Sequence, residues 1–338
     1  MLLIGIPRSI SKEIDMRTDF RVGRCGSLHS ICGVFLILVL LLWPAGVRAQ
    51  EDFTIAVIPD TQNYASGDGG GTPEIFKAQT QWIAENREAL NIVYVAHVGD
   101  CVNHADRDDQ WRHADAAFRK LEGTPPIPYG IAVGNHDKYI YRRLPIRIDG
   151  LRIETTQLYN RYFGTARFKD RPWFGKNHGD DNDNFYHLLS AGGLDFILIF
   201  LEFDAGSDAL GWADEVLKEH SDRRAIVVSH SLLRLDKTFS HQGQTVYDVM
   251  KDNPNFFMML CGHVLGEALR EDTYNGNRVY SLLSDYQGRA RGGDGWLRIM
   301  KFSPSQNRIE VSTYSPTLDK YERDADSQFT LEYDMSSD

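Results

Sequence analysis

Several side chains in this sequence have the chemistry of metal ligands, and each follows a short apolar run. They are Asp60, Gln62, Asp100, Asn103, Asn135, His136, His230 and His263. A short apolar run bounded by turn residues predicts a buried strand, and open α/β sheets bind ligands beyond the carboxyl ends of their strands. Carboxylate, amide oxygen and imidazole together favour a site for divalent first-row metals rather than a sulfur-based site. The sequence therefore predicts a metal centre where several strands end.

The most informative stretch is Gly134-Asn135-His136-Asp137, which follows the apolar run Ile127–Val133. Asparagine, histidine and aspartate side by side can bind a hard cation and carry a proton. Alone, the four residues would also fit a polar turn. Their interpretation as part of a metal site therefore depends on the ligand-type residues at the other strand ends.

Each ligand-type residue also has an ordinary structural interpretation. Asp60 could cap a turn, His230 could be a hydrogen-bonded core histidine, and Gly262-His263 could form a tight turn. Ligand-type residues at five strand ends, with none proposed inside a strand, favour one shared site. A carboxylate shared by two cations about 3.5–4 Å apart would clamp a phosphoryl group and turn water into a nucleophile at ordinary pH.

The elements that must position these residues alternate between strand and helix. The pattern predicts strands at Phe53–Ile58, Ile92–Val98 and Ile127–Val133, with helices at Pro73–Leu90 and about 106–121 between them. Thr72 is typical of a helix N-cap, and Pro73 is typical of a first helical position. This order of elements implies parallel strands in a sheet with both faces covered.

The alternation resumes after an interruption. Residues 138–183 are long, rich in Arg and Asp, and contain one predicted helix at about 157–163, so we interpret them as an insertion beside the site. The later predictions are a hairpin of Phe185–Ser190 and Asp195–Phe203, helices at Asp208–Glu219 and about Gln244–Lys251, and strands at Ala225–Ser229 and Phe256–Leu260. The remaining residues alternate β-runs with turns such as Asn275-Gly276. We predict one domain over residues 50–338.

Composition and charge exclude some classes of function. The chain has 338 residues, of which 42% are hydrophobic and 25% charged, as in a globular protein. Its net charge of −10 argues against a general nucleic-acid binder, which needs a basic face. Cys101 and Cys261 are too few for a disulfide framework. The sequence leaves open whether they bridge.

Residues 1–49 have the features of a secretory signal. The apolar run Ile31–Trp43 follows three arginines and precedes Val47 and Ala49, which predicts cleavage after Ala49. An uncleaved anchor is the alternative, but the run is short for a bilayer. Either way the later residues are predicted to be exported. Removing 1–49, with six Arg or Lys and three Asp or Glu, changes the net charge from −10 to −13.

The motif order resembles the calcineurin-like metallophosphoesterase superfamily over about residues 53–265. The motifs are Asp-x-Gln at 60–62, Gly-Asp-x-x-Asn at 99–103, Gly-Asn-His-Asp at 134–137, Ser-His at 229–230 and Gly-His at 262–263. The resemblance implies an α/β fold, a four-layer α/β/β/α sandwich with a two-metal centre at the rim formed by the carboxyl ends of the strands.

The resemblance also implies a role for each ligand. Asp100 would bridge both ions, and Asn135, His230 and His263 would complete the second ion. Asp60 and the residues at positions 62 and 265 would hold the first. His136 would not bind metal; it would stabilise developing charge or protonate the leaving oxygen. Asn103 and His104 stand where some relatives contact substrate, although a solvated turn is the alternative.

Two positions depart from the superfamily pattern. Gln62 and Leu265 stand where the superfamily usually has histidine. A glutamine oxygen coordinates such metals more weakly than imidazole does, and leucine does not coordinate. We therefore predict a loosely held first ion, with Glu267 as a candidate substitute ligand. His97, inside the second strand, is predicted to be a core residue.

These features predict an exported enzyme that hydrolyses a phosphate mono- or diester with a metal-bound hydroxide. It would use two divalent ions, most simply Mn, Fe or Zn, and a phosphorylated substrate. No nucleic-acid partner is expected, and membrane attachment would require an uncleaved leader. The main alternative, motivated by Leu265, is a non-catalytic metal- or phosphate-binding protein on the same scaffold. Arg289 and Arg291 could hold a phosphate or be ordinary surface arginines.

Overall fold

The computed structural model describes residues 50–140 and 154–336 of the chain. The strands are β1 Phe53–Ile58, β2 Ile92–His97, β3 Tyr129–Ile131, β4 Tyr139–Ile140, β5 Glu154–Thr155, β6 Phe174–Asn177, β7 Phe185–Ala191, β8 Leu194–Leu201, β9 Arg224–Ser229, β10 Phe256–Cys261, β11 Gly266–Tyr274, β12 Asn277–Asp285, β13 Leu297–Ser303, β14 Arg308–Ser315, β15 Lys320–Glu322 and β16 Phe329–Glu332. The α-helices are α1 Gln62–Ser66, α2 Pro73–Glu85, α3 Asp108–Phe118, α4 Gln157–Phe163, α5 Thr165–Phe168, α6 Ser207–Glu219 and α7 His241–Met250. The predicted leader, residues 1–49, lies outside the described residues.

In the described residues, the strands that precede the predicted ligands belong to two seven-stranded sheets. The first has the order β15-β14-β13-β1-β2-β3, with β16 paired to β14. Its β1, β2 and β3 are parallel, as predicted. The second sheet has the order β11-β12-β10-β9-β8-β7-β6, in which β8, β9, β10 and β12 are parallel.

Alternate residues of the central strands face different layers. In β1, Ile55 and Val57 face the core between the two sheets, where they join Leu198 and Ile226. Ala56 and Ile58 instead pack against helices α2 and α3. Because both faces are covered, all six residues of β1 are buried, which explains its continuous apolar run.

The second sheet has its own helical layer. Helices α6 and α7 bury Leu210, Leu217 and Val246 against Ile197 and Val227 of β8 and β9. The layers are therefore helix, sheet, sheet and helix, as the sequence predicted. None of the described helices has the length and apolar character needed to span a membrane.

Several predicted boundaries were wrong by a few residues. Helix α2 ends at Glu85 rather than Leu90, because the Asn86 side chain donates a hydrogen bond to the carbonyl oxygen of Trp82 (2.9 Å). The central strand pairs only over Tyr129–Ile131, since Ala132 and Val133 already lead into the loop. The helix predicted at about 157–163 is confirmed as α4.

Part of the segment interpreted as an insertion contributes to the core. Tyr159, Phe163 and Phe168 are buried in the cluster that contains α3 and the outer face of the first sheet. The Tyr159 hydroxyl donates a hydrogen bond to the carbonyl oxygen of Ile131 in β3 (2.8 Å). Residues 141–153 of the predicted insertion lie outside the described residues.

Candidate metal centre

The predicted ligands come from both sheets and meet at the carboxyl ends of parallel strands. Asp60 follows β1, Asp100 follows β2 and Asn135 follows β3, whereas His230 follows β9 and His263 follows β10. Asp60, Asp100 and His230 are almost completely buried. The rim is thus formed by loops that are far apart in sequence.

Asp100, His230 and His263 form a close group at this rim. His230 Nε2 lies 3.1 Å from Asp100 Oδ2 and 3.2 Å from His263 Nδ1. Among the described residues, these three side chains each offer one ligand atom, all within 4.8 Å of one another. His230 Nδ1 donates a hydrogen bond to the carbonyl oxygen of Val98 (3.1 Å), which turns Nε2 toward the carboxylates. Such outer hydrogen bonds orient metal-binding histidines.

The carboxylate of Asp60 also lies near the Nε2 atom of His230. Its Oδ2 is 3.9 Å from His230 Nε2, and the backbone N–H of His263 donates to its carboxylate at 3.2 Å. Burial, together with the charges of Asp285 and Asp100, raises the pKa of Asp60 well above its usual range. A positive charge beside Asp60 would relieve this repulsion.

Asp100 and His230 stabilise the charged form of each other. Burial alone would raise the pKa of Asp100, but the charge and hydrogen bond of His230 lower it below its ordinary value. Burial opposes the charge on His230, yet Asp100 and Asp60 raise its pKa to about 10. The protein therefore provides a pocket in which a cation is favoured.

Two motif glycines make the close approach of the loops possible. A Cβ added at Gly134 would lie 2.2 Å from Asp100 Oδ1, and a Cβ added at Gly262 would lie 2.0 Å from Asp60 Oδ1. Any side chain at either position would push a predicted ligand away. The glycines of these two motifs are thus required by contact with the carboxylates.

Asp137 holds two of the loops together without facing the ligands. Its buried carboxylate accepts hydrogen bonds from the backbone N–H groups of Gly134 (2.9 Å), Cys101 (3.2 Å) and Val102 (3.1 Å). Burial and the charge of Asp100 raise the pKa of Asp137 to about 6. This carboxylate fixes the loop after β2 against the loop after β3.

Some oxygen atoms at the rim are buried without a hydrogen-bond donor. Within the described residues, Asn135 Oδ1 and Gln62 Oε1 have no partner. Buried polar atoms are normally paired, and exceptions need an explanation. Both are amide oxygens that can coordinate a cation; Gln62 lies two residues after Asp60, and Asn135 lies in the loop after β3. The donor set of carboxylates, amide oxygens and imidazoles therefore fits divalent metal ions.

A sequence model of the calcineurin-like phosphoesterase family matches residues 53–267, which include every predicted ligand. The chain belongs to this family. It is also 33% identical over 301 residues to YvnB of Bacillus subtilis (strain 168), an uncharacterized protein. That alignment covers 85% of the chain and 22% of YvnB, so the chain spans about a fifth of this relative.

Solved phosphatases share the fold of this member of the calcineurin-like phosphoesterase family. A dimetal phosphatase from Danio rerio superposes with a TM-score of 0.51 at 13% identity, over 83% of this chain and 99% of that one. A purple acid phosphatase from yellow lupin (Lupinus luteus) seeds gives a TM-score of 0.54 at 13% identity, over 84% of this chain and 54% of that one. At this identity the likeness shows the fold, two sheets flanked by helices, which confirms the fold prediction.

His136 lies beside the ligands with one ring nitrogen already engaged. Its backbone N–H donates to Asp100 Oδ1 (2.9 Å), and its Nδ1 lies 2.9 Å from the carbonyl oxygen of Asn103. The side chain is half-buried. Asn103 thus orients His136 through its backbone, a contact that the sequence did not reveal.

The structure places the two predicted substrate residues in different settings. The Asn103 side chain donates a hydrogen bond to Asp68 Oδ2 (2.6 Å). His104 is exposed, and its backbone N–H donates to Gln110 Oε1 (2.9 Å). Their contact with substrate stays a prediction.

Other sequence interpretations need correction. Glu267 is not available as a substitute ligand, because its carboxylate pairs with Arg298 (3.0 Å) and accepts hydrogen bonds from Tyr286 and Ser327 (both 2.6 Å). Arg289 and Arg291 also have acidic partners, Glu322 and Glu267 for the former and Asp294 for the latter. Neither arginine is a free phosphate ligand.

The core role predicted for His97 is confirmed. Its ring is fully buried, with Nε2 2.9 Å from Thr61 Oγ1, and burial lowers its pKa to about 3. Cys101 and Cys261 are both buried free thiols, so the bridge left open by the sequence does not form.

Sequence reasoning missed Asp285 and Gln287. Asp285 ends β12 with 1% of its surface exposed, and its charge acts on Asp60. It follows an apolar run, Val279–Ser284, as the other rim residues do. That local signal was present, but the sequence did not show that β12 runs parallel to β10.

Proposed function

We propose that this chain is an exported, metal-dependent hydrolase of phosphate esters. Membership of the calcineurin-like phosphoesterase family and the fold shared with solved phosphatases support phosphoester hydrolysis in general. The observation that carries the proposal is the convergence of Asp100, His230 and His263 beside Asp60. These side chains have no other evident task at a shared rim.

The ligands divide into two groups around Asp100. Asn135, His230 and His263 would hold one ion with Asp100, and Asp60 and Gln62 would hold the other. Two such ions would neutralise the phosphoryl oxygens and lower the pKa of a water molecule that attacks phosphorus. The group of Asn135, His230 and His263 keeps its full set of ligands, so we expect the ion held there to bind more tightly than the ion held by Asp60 and Gln62.

His136 is the proposed acid. When its Nδ1–H donates to the carbonyl oxygen of Asn103, the imidazolium form carries its second proton on Nε2, on the opposite side of the ring. A proton there can pass to the leaving oxygen as the ester bond breaks. General acid groups of this kind contribute about 10²–10⁴-fold to turnover.

His136→Ala tests this role. We expect a loss of about 10²–10⁴-fold in kcat with the metal content unchanged. His220→Ala is a matched control, because His220 is a half-buried histidine at the far end of α6 with a single side-chain hydrogen-bond contact, to Tyr186 (3.3 Å). A His136→Ala rate within about threefold of wild type would contradict the assignment.

The reaction class is tested with chromogenic substrates. A nitrophenyl phosphomonoester and a bis-nitrophenyl phosphodiester would be assayed with Mn²⁺, Zn²⁺, Fe²⁺ and Ca²⁺ added separately. Hydrolysis of either supports the proposal, and the ratio of the two rates assigns mono- or diesterase activity. No hydrolysis with any metal would favour the non-catalytic alternative, which Leu265 motivates because leucine cannot coordinate a metal ion.

Export is proposed from residues 1–49 alone. The expected mature chain begins at Gln50, and N-terminal sequencing of the protein recovered outside the cytoplasm would check this. Recovery of the full-length chain in the cytoplasmic fraction alone would refute it.

A further inference from the structure

The amide group of Gln62 has a defined orientation in the structure. Gln62 begins α1, two residues after Asp60, and is 6% exposed. Its Nε2 donates a hydrogen bond to Gln287 Oε1. Its Oε1, on the other side of the amide, is buried and has no donor among the described residues. An oxygen with free lone pairs is thus kept inside the protein next to a predicted metal ligand.

Asp285 sets that orientation through Gln287. Asp285 Oδ1 accepts a hydrogen bond from the backbone N–H of Gln287 (2.9 Å), and Oδ2 accepts one from Gln287 Nε2 (3.2 Å). An ionised carboxylate can only accept hydrogen bonds, so the NH₂ group of Gln287 must face Asp285. The oxygen of Gln287 must then face Gln62, which in turn must offer its own NH₂ group.

The strand register places Asp285 at the same rim as the other ligands. β12 runs parallel to β10, with Leu283 opposite Cys261. In this register Asp285, two residues after Leu283, lies level with His263, two residues after Cys261. Asp285 is almost completely buried, so its carboxylate is part of the interior of this rim.

We propose that Asp285 and Gln287 are positioning residues that turn the carbonyl oxygen of Gln62 toward the first metal position, beside Asp60. The inference rests on the two-metal site of the proposed function. It explains how a glutamine serves at a position where the reversed amide would present an NH₂ group, which cannot bind a cation. The first position then has oxygen ligands, which suit Mn²⁺.

Asp285→Asn tests this relay, by which we mean the hydrogen bonds that connect Asp285, Gln287 and Gln62. The new amide oxygen can still accept from the backbone N–H of Gln287, but its NH₂ group then faces the Gln287 side chain. Gln287 must reverse its amide, and Gln62 must follow. Metal-free protein would be titrated with Mn²⁺, and free Mn²⁺ would be counted by electron paramagnetic resonance. We expect wild type to bind two Mn²⁺ per chain. We expect the variant to bind its tighter ion within threefold of wild type and its weaker ion at least tenfold more weakly.

A double variant gives a rescue that a merely structural role would not produce. In Asp285→Asn with Gln287→Glu, the carboxylate introduced at position 287 accepts from the amide introduced at position 285 and from Gln62 Nε2. The oxygen of Gln62 should face inward again, and the weaker Mn²⁺ should return to within threefold of wild-type affinity. Asp272→Asn is the matched control, because Asp272 pairs with Arg270 further along β11 (2.6 Å).

Unchanged binding of both ions by Asp285→Asn would overturn the inference, as would a double variant no better than the single one. If Asp285→Asn does not fold, Gln287→Leu breaks the relay and should weaken the same ion, and unchanged binding there would overturn it equally. Because bound Mn²⁺ is counted without substrate, a protein that binds two ions but hydrolyses no phosphate ester would refute only the proposed function. A wild-type chain that binds fewer than two Mn²⁺ would refute both.

Discussion

Adding a single methyl group at Gly262 should displace a metal ligand. The Cβ of an alanine there would lie 2.0 Å from Asp60 Oδ1, about 1.4 Å short of the 3.4 Å at which ordinary van der Waals contact begins. It would also lie 2.8 Å from Val98 Cγ2, so the methyl group has little room to move away. The Asp60 carboxylate must therefore retreat by roughly 1 Å.

The consequence for metal binding is larger than the consequence for folding. Metal–ligand distances tolerate deviations of about ±0.2 Å, so we expect Gly262→Ala to lose the ion held by Asp60. A misplacement of about 1 Å near the chemistry can cost about 10²-fold in rate. Overpacking in a core typically costs about 1–3 kcal/mol, so the free energy of unfolding should fall by that amount in metal-free protein.

The measurements are metal content after dialysis, kcat/KM, and urea unfolding with a chelator present. Gly211→Ala is the control: Gly211 lies in α6, and a Cβ there has no neighbour within 4 Å. The control should keep its metals and gain up to about 1 kcal/mol, since alanine favours a helix interior. If Gly262→Ala kept both ions at wild-type affinity, the argument that glycine is required by contact with Asp60 would be wrong.

Two further predictions follow from buried groups. Asp100→Asn should remove the shared carboxylate and abolish tight binding of both ions, which elemental analysis would check; a variant retaining two ions would contradict the bridging role. Burial lowers the pKa of His187 to about 3 from an ordinary 6.5. Between pH 6.5 and about pH 3, this histidine therefore binds a proton in the unfolded chain but not in the folded chain. Stability is therefore fully present above pH 6.5 and falls toward pH 3 at about 1.4 kcal/mol per pH unit for this group. His187→Asn, which keeps an acceptor for the Tyr94 hydroxyl (2.6 Å in wild type), should make the measured pH slope of unfolding less steep by up to that amount; an unchanged slope would count against the assignment.

The residues of the candidate metal centre could be predicted because each has a local signal in the sequence. An apolar run, a glycine and a ligand-type residue mark a strand that ends in a loop, and parallel strands bring such loops to one rim. That argument correctly brought Asp100, His230 and His263 together from distant parts of the chain. It needed only strand direction, which the alternation of strands and helices supplies.

Asp285 was not predicted because its strand direction is set by tertiary pairing. The Asn275-Gly276 turn joins β11 and β12 as a hairpin, and both of its residues have positive φ. The hairpin was visible in the sequence, but the parallel contact of β12 with β10 was not. Hydrogen-bond relays such as Gln62 to Gln287 are equally hidden, because 225 residues separate the partners.

The residues of the proposed insertion show a different limit. Tyr159 and Phe163 lie in the helix that the sequence predicted at about 157–163. The length and the Arg- and Asp-rich composition of residues 138–183 suggested an insertion beside the site, yet both rings pack into the core against α3. Composition averaged over a long stretch concealed the few residues that pack inward.

The ion proposed to bind Asp100, Asn135, His230 and His263 would take ligands from both sheets, so it would join one half of the sandwich to the other. Folding and metal supply are then thermodynamically linked. An ion present at a hundred times its dissociation constant would add about 2.7 kcal/mol to the folded state. In a cell short of such ions the folded state would therefore be less stable.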